Sequence, residues 1–221
     1  MSNFIVTADG GLTGMGYAIC IVGIILLLVI SMVLIKNTGE KKKLSSKQLG
    51  YCGMAIALGY ICSYLKIINM PYGGSVTLFS MLFICLIGYW YGLKVGLMTG
   101  LAYGILQFLQ EPYVLTLFQV CCDYLLAFTA LGLSGLFTKS KNGLLKGYIV
   151  SVIARGFFHS LGGYLYWMNY MPDDFPAQFS RFYPIVYNYS YLLAEGAITL
   201  AIISLPPVKE ALAILKKNAI T

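Results

Sequence analysis

Four ionisable side chains, Asp123, Arg155, His159 and Glu195, lie inside segments that are otherwise apolar. A charge at the centre of a membrane-spanning helix costs about 2.5–3.5 kcal/mol even on insertion scales, so such residues need partners and mark a site or a pathway. Asp123 and His159 have the widest chemical reach. A carboxylate facing an imidazole can tie helices together as a buried hydrogen bond, serve as an intramembrane acid/base pair, or form one wall of a pocket for a small aromatic or cationic solute. Tyr113, Tyr124, Trp167, Tyr183 and Asn188 come close to the same level if their helices converge. One carboxylate among several ring faces favours a cation, since a desolvated cation–π contact is worth about 2 kcal/mol.

Spacing assigns depth to these groups. Arg155, His159, Gly163 and Trp167 recur every four residues and so form one slowly drifting stripe on a helix. Arg155 and Glu195 each lie twelve residues from an aromatic at the outer boundary, Trp167 and Tyr183. At a rise of about 1.5 Å per residue both sit roughly 18 Å deep, and the sequence predicts that they pair; His159 and Asp123 fall together at roughly 12 Å. Enzyme chemistry finds little else to work with. The chain has a single histidine, which excludes a multi-histidine metal site. It has neither a nucleophile elbow nor a phosphate-binding loop, so no metal or cofactor is expected and any ATP chemistry would belong to a partner. Cys20, Cys52, Cys62, Cys85, Cys121 and Cys122 all fall in apolar segments without zinc spacing and read as small lipid- or core-facing residues.

The elements that hold these residues must be membrane helices. Of 221 residues, 59% are hydrophobic and 10% charged, and the mean hydropathy is +0.79. Such a chain is neither water-soluble nor disordered, and it lacks the alternating segments of an outer-membrane barrel. An all-α, polytopic bundle remains. A first apolar run, Tyr17 to Ile35, has its lysine cluster after it, the reverse of a secretory signal. Six further spans are predicted at 46–66, 75–92, 94–110, 114–137, 146–168 and 183–205, with Pro206-Pro207 closing the last. Residues 1–45 therefore read as an extra helix with a basic linker, and 46–221 as a six-helix unit. With alternating sides, twelve of the fifteen Lys and Arg residues fall on one face. The positive-inside rule then gives an outside N-terminus, an inside C-terminus and a multi-pass cell-membrane protein. It also accounts for the net charge of +7 without nucleic acid. Ala55, Gly59 and Ser63 form a small-residue face on the first helix of the unit, suited either to internal packing or to docking another membrane subunit.

Several separated motifs, in order, resemble the thiamine-specific S component of energy-coupling-factor transporters, the ThiT (YuaJ) family. They are Met70-Pro-Tyr-Gly-Gly-Ser-Val-Thr-Leu78, Leu106-Gln-Phe-Leu-Gln-Glu-Pro-Tyr-Val-Leu115, Asp123-Tyr124 with the Leu126–Phe137 run, Phe157-Phe158-His159, Trp167, Tyr183 and Asn188. The resemblance spans residues 46 to 217 and implies a six-helix substrate-binding subunit, not an enzyme, covered by the loop between its first two helices. It implies that Tyr113, Asp123, Tyr124, His159, Trp167, Tyr183 and Asn188 contact thiamine. It further implies docking through Ala55, Gly59 and Ser63 onto a transmembrane coupling subunit that works with two ATPases. A thiamine precursor, the pyrimidine or thiazole half, is the alternative cargo. Gly74 and Leu78 stand where some members of the family have a loop tryptophan and an acid.

Overall fold

A computed structural model describes residues 4, 7, 12–19, 22 and 44–221. The extra span expected at 17–35 and its basic linker lie almost wholly outside the described residues. The first complete helix, α1 (Ser46–Tyr64), opens with a capping box in which Ser45 and Gln48 satisfy each other's backbone N–H groups at 3.1 and 3.0 Å. A short antiparallel hairpin follows, β1 (Lys66–Asn69) and β2 (Ser75–Thr77), turning through Pro71–Gly73 with Gly73 at φ 93°. The sequence suggested a loop here and a span already under way at 75. The Ile67-Ile68 and Val76-Thr77 pairs flanking a Pro-Gly turn are the overlooked strand signal.

Beyond the hairpin the chain is helical: α2 (Ser80–Tyr91), α3 (Leu93–Gln110), α4 (Leu117–Phe137), α5 (Gly143–Gly162) and α6 (Tyr183–Ser204). Two of these runs, α4 and α6 with its preceding turn from Ala177, are long and apolar enough to cross a membrane. Pro206-Pro207 ends α6 as expected but also occupies the first turn of a further helix, α7 (Pro206–Ile220). Proline lacks only an N–H that the first turn leaves unpaired in any case, so the same dipeptide stops one helix and starts the next.

α2 is the axis of the bundle. Met81, Leu82, Ile84, Cys85, Leu86 and Ile87 are all buried, covering every face of the helix, and it packs against α1, α3, α4 and α5. An apolar surface all round is what a central helix requires. Outside it, Met54, Leu58, Ile61, Phe118, Ile153, Phe157 and Leu193 point away from the bundle and are exposed.

Closest approach falls between α3 and α4. Gly96, Gly100 and Gly104 line one edge of α3, and a Cβ on Gly100 or Gly104 would meet the Phe128 or Tyr124 carbonyl oxygen at 2.6 or 2.5 Å. Glycine at every fourth position lets the two backbones touch. The Ala55, Gly59, Ser63 face of α1 also packs internally, which corrects its reading as a docking surface. The Gly59 carbonyl accepts from the Tyr103 hydroxyl at 3.1 Å, and Ser63 bonds Gln110 and Gln107 at 3.0 and 3.1 Å. The exposed small residues of α1 are instead Gly50, Gly53 and Ala57, on its other side.

Gly100→Val places carbon atoms against backbone that has no room to yield. It should lower stability by about 3 kcal/mol, the upper end of ordinary overpacking, read as a lower melting temperature in detergent. Gly53→Val, where nothing lies within 4 Å, should change that temperature little.

Candidate functional site

One cavity of about 460 Å³ opens among the hairpin, α3, α4, α5 and α6. All seven residues anticipated as ligand contacts line it: Tyr113, Asp123, Tyr124, His159, Trp167, Tyr183 and Asn188. Arg155 and Glu195 line it too.

Two helical irregularities build its centre. Residues Cys121–Leu126 of α4 and Gly163–Trp167 at the end of α5 form π-helical turns, which insert an extra residue per turn and re-aim the side chains they carry. These turns carry Asp123 and Trp167. The Trp167 indole N–H donates to Asp123 Oδ2 at 3.3 Å, and Gln119, one turn earlier on α4, donates to the same oxygen at 2.8 Å. Asp123 Oδ1 lies 3.5 Å from His159 Nδ1. A Cβ on Gly162 would come within 2.5 Å of Oδ1, so only glycine leaves the carboxylate this place. With Oδ2 occupied twice, Oδ1 keeps acceptor capacity towards the cavity.

Arg155 and Glu195 are not in direct contact, contrary to the pairing that their common depth suggested. Arg155 Nε donates to His159 Nε2 at 3.2 Å, and its guanidinium lies 4.2 Å from the centre of the Phe128 ring. Accepting from Arg155 leaves the His159 proton on Nδ1, facing Asp123. Glu195, 3% exposed, is satisfied by the start of α2. Its Oε2 accepts from the Thr77 N–H and hydroxyl at 3.0 and 2.6 Å, and its Oε1 from Ser80 Oγ and Met81 N–H at 3.3 and 3.4 Å. The N-cap of α2, Phe79, turns through φ 62° and supplies no capping side chain. Glu195, from α6, therefore serves as the missing cap, with the positive end of the helix dipole attracting its charge.

Aromatic rings cover the outer part of the cavity. Trp167 lies between Tyr113 and Tyr170, with ring centres 4.7 and 5.0 Å apart, and the two tyrosine hydroxyls meet at 3.1 Å. The Tyr124 hydroxyl holds the α3–α4 loop, donating to the Glu111 carbonyl at 2.7 Å and accepting from the Tyr113 N–H at 3.1 Å. Asn188 is committed as well. Its amide N–H groups go to the Pro184 and His159 carbonyls at 2.8 and 3.3 Å, and its oxygen accepts from the Tyr191 hydroxyl at 2.9 Å. Tyr124 and Asn188 thus shape the wall more than they offer free polar groups.

The hairpin closes one side. The Gly74 N–H donates to the Tyr187 hydroxyl at 3.1 Å, and that hydroxyl donates to the Pro71 carbonyl. A side chain at 74 would collide with Tyr187 and Tyr191 at 2.8–2.9 Å, so these two α6 tyrosines fill the space above the strand. Lys66 and Glu111 form an ion pair at the rim, 2.5 Å apart. Counting the lining groups, Glu111, Asp123 and Glu195 oppose Lys66 and Arg155, which leaves one net negative charge around the cavity with His159 neutral. Gln119, Tyr170 and Tyr187 were missed in the sequence. Only Gln119 carried a signal there, one helical turn before Asp123.

A helical bundle with an apolar outer surface and a solute-sized, aromatic, weakly anionic cavity is the architecture of a membrane transport protein that holds a small molecule. Residues 49–215 match the family model described as "Thiamine transporter protein (Thia_YuaJ)". Thiamine transporter ThiT of Bacillus subtilis (strain 168) is 32% identical, over 62% of this chain and 77% of that protein. A solved structure of ThiT from Listeria monocytogenes shares the fold with a TM-score of 0.58 and 23% identity, covering 72% of this chain and 94% of that one. The chain belongs to the thiamine transporter family, a family of transmembrane transport proteins rather than enzymes.

Thr77→Val removes the shortest of the Glu195 hydrogen bonds and should cost about 1–3 kcal/mol, the penalty for an under-bonded buried acceptor. Thr77→Ser, which keeps the hydroxyl, should retain most of the stability. Melting temperatures of the two variants in detergent provide the check.

Proposed function

We propose that this chain is the substrate-binding subunit of an energy-coupling-factor transporter, taking thiamine from outside the cell and passing it inward. ATP hydrolysis by two ATPases, reached through a transmembrane coupling subunit, would drive the release. The observation that carries the reading is the Asp123 carboxylate, held by Gln119 and Trp167 on one oxygen and facing only His159 at 3.5 Å with the other, beneath the Tyr113–Trp167–Tyr170 rings. Thiamine combines a permanently cationic thiazolium, an aminopyrimidine and a hydroxyl. A single carboxylate, flat ring faces and a net negative wall suit those three parts, and the cavity volume falls in the range of small-molecule sites.

Orientation follows from charge. Lys47, Lys94, Lys139, Lys141, Lys146, Lys209, Lys216 and Lys217 sit at one end of the bundle, while Lys66 and Arg181 lie at the end where the cavity opens. The positive-inside rule places the basic end in the cytoplasm and the cavity mouth outside, with the chain crossing the membrane several times. In that orientation the hairpin covers the cavity from the outer face.

Titrating the purified protein with thiamine should quench tryptophan emission, because a ring stacked near Trp167 alters its excited state; Trp90 lines a different cavity. Saturable quenching that disappears in Trp167→Phe supports the site. A response to the isolated pyrimidine or thiazole half with none to thiamine would assign the precursor instead. Asp123→Asn should weaken thiamine by about tenfold or more, the loss of a charge-assisted contact, and a neutral pyrimidine analogue much less. Equal losses for both ligands would remove the carboxylate–thiazolium contact from the account.

A further inference from the structure

The basic end of the bundle contains a second cavity, of about 440 Å³, which the transport site does not use. It forms where α7 folds back beneath the helix ends. The Tyr91 hydroxyl donates to the Ala219 carbonyl at 3.0 Å, and Lys216 Nζ donates to the Thr138 carbonyl at 3.2 Å while lying 3.6 Å from the centre of the Tyr89 ring. The cavity is lined from both sides, by the first residues of α5 and by α7.

Its lining is divided by polarity. Leu145, Ile203 and Leu212 provide an apolar floor, and Lys209, Lys216 and Lys217 provide a cationic rim. The first residues of α5 complete the rim. The N-cap there, Asn142 at φ 55°, makes no side-chain capping bond, and the first turn holds no acid, so the positive end of a 20-residue helix faces this region. The Trp90 indole N–H is buried without a hydrogen-bond partner among the described residues, and Trp90 lines the same cavity. Glu210 is the only acid on α7, against three lysines. Along α7, Ile214, Leu215 and Ile220 are exposed at 55%, 45% and 56%. A helix with lysines beside exposed aliphatic side chains is built to lie in a membrane interface.

We propose that this cavity binds the phosphate of an anionic amphiphile, with the phosphate on the Lys209/Lys217 rim near the α5 N-terminus and the adjoining apolar part over Leu145 and Leu212. A cationic rim around an apolar floor at interfacial depth matches a phospholipid headgroup with the start of its acyl chain, and basic pockets between membrane helices recognise anionic headgroups in this way. A free phosphate would satisfy the rim alone.

The test uses the full chain carrying Trp167→Phe, in which Trp90 is the sole tryptophan of the two. Phosphatidylglycerol and phosphatidylcholine with brominated acyl chains are titrated into detergent micelles of the protein while Trp90 emission is followed. Half-quenching by phosphatidylglycerol should need a mole fraction lower by about fivefold to thirtyfold, the scale set by one or two interfacial lysines. Lys209→Gln/Lys217→Gln should abolish that preference. Lys139→Gln/Lys141→Gln, which removes charge from the same end but not from the cavity, should keep it. Inorganic phosphate distinguishes the sources. Recovery of emission at millimolar phosphate supports the rim with a soluble ligand, and selective quenching that phosphate does not reverse supports the lipid. Equal quenching by the two lipids, or equal loss of preference in both lysine pairs, would overturn the proposal, the second because it would mean a diffuse surface charge.

Discussion

A carboxylate buried in an apolar bundle persists only when its lone pairs are occupied, and Glu195 is the place where this protein meets that condition most fully. Its four donors come from β2 and the first turn of α2, while the carboxylate itself comes from α6. The helix that most needs support, the largely buried α2, begins at a left-handed phenylalanine with no capping side chain. One interaction therefore answers two deficits, a charge without water and a helix start without an acceptor. It also fixes the end of the hairpin against α6, from which the contacts of Gly74 with Tyr187 and Tyr191 follow.

Asp123 is held on a different principle. Both donors to it converge on one oxygen, and the other faces a neutral imidazole at 3.5 Å. Asp123 and Trp167 both lie on π-helical turns, where the extra residue changes the direction in which a side chain leaves the helix. Through His159 the carboxylate is linked to Arg155, so the guanidinium that depth alone would have assigned to Glu195 is directed instead at the His159 ring nitrogen and the Phe128 face. The cavity keeps a slight excess of negative charge and a lid of rings, properties that favour a flat cation over an anion or an aliphatic solute.

The two ends of the bundle differ in chemistry because they meet different surroundings. Aromatic rings, the Lys66–Glu111 pair and a closing hairpin gather at the end where the larger cavity opens. Lysines and an amphipathic helix gather at the other end. The Gly96, Gly100, Gly104 edge of α3 joins these ends, packing α4 so tightly that the Asp123 turn has a rigid base.

Much of this was legible in the chain. Apolar runs and basic clusters placed the helices from Ser46 to Ser204 close to their observed limits, because burial in lipid forces long apolar stretches and leaves charge only at their ends. The seven pocket residues were legible for a related reason: polar and aromatic groups stand out against an apolar background. The hairpin was not, since its two strands are short and each is decided by pairing with the other. Nor was α7, because a proline pair marks an end and a beginning equally well. Depth alone put Arg155 beside Glu195, and small size left the Ala55, Gly59, Ser63 face open to internal packing or to docking; rotation about the helix axes decided both. Composition along one dimension was enough to place the long apolar helices and the residues too polar to face lipid. Only the tertiary structure decided which polar group answers which, because hydrogen bonds depend on the rotation and approach of helices that composition leaves free.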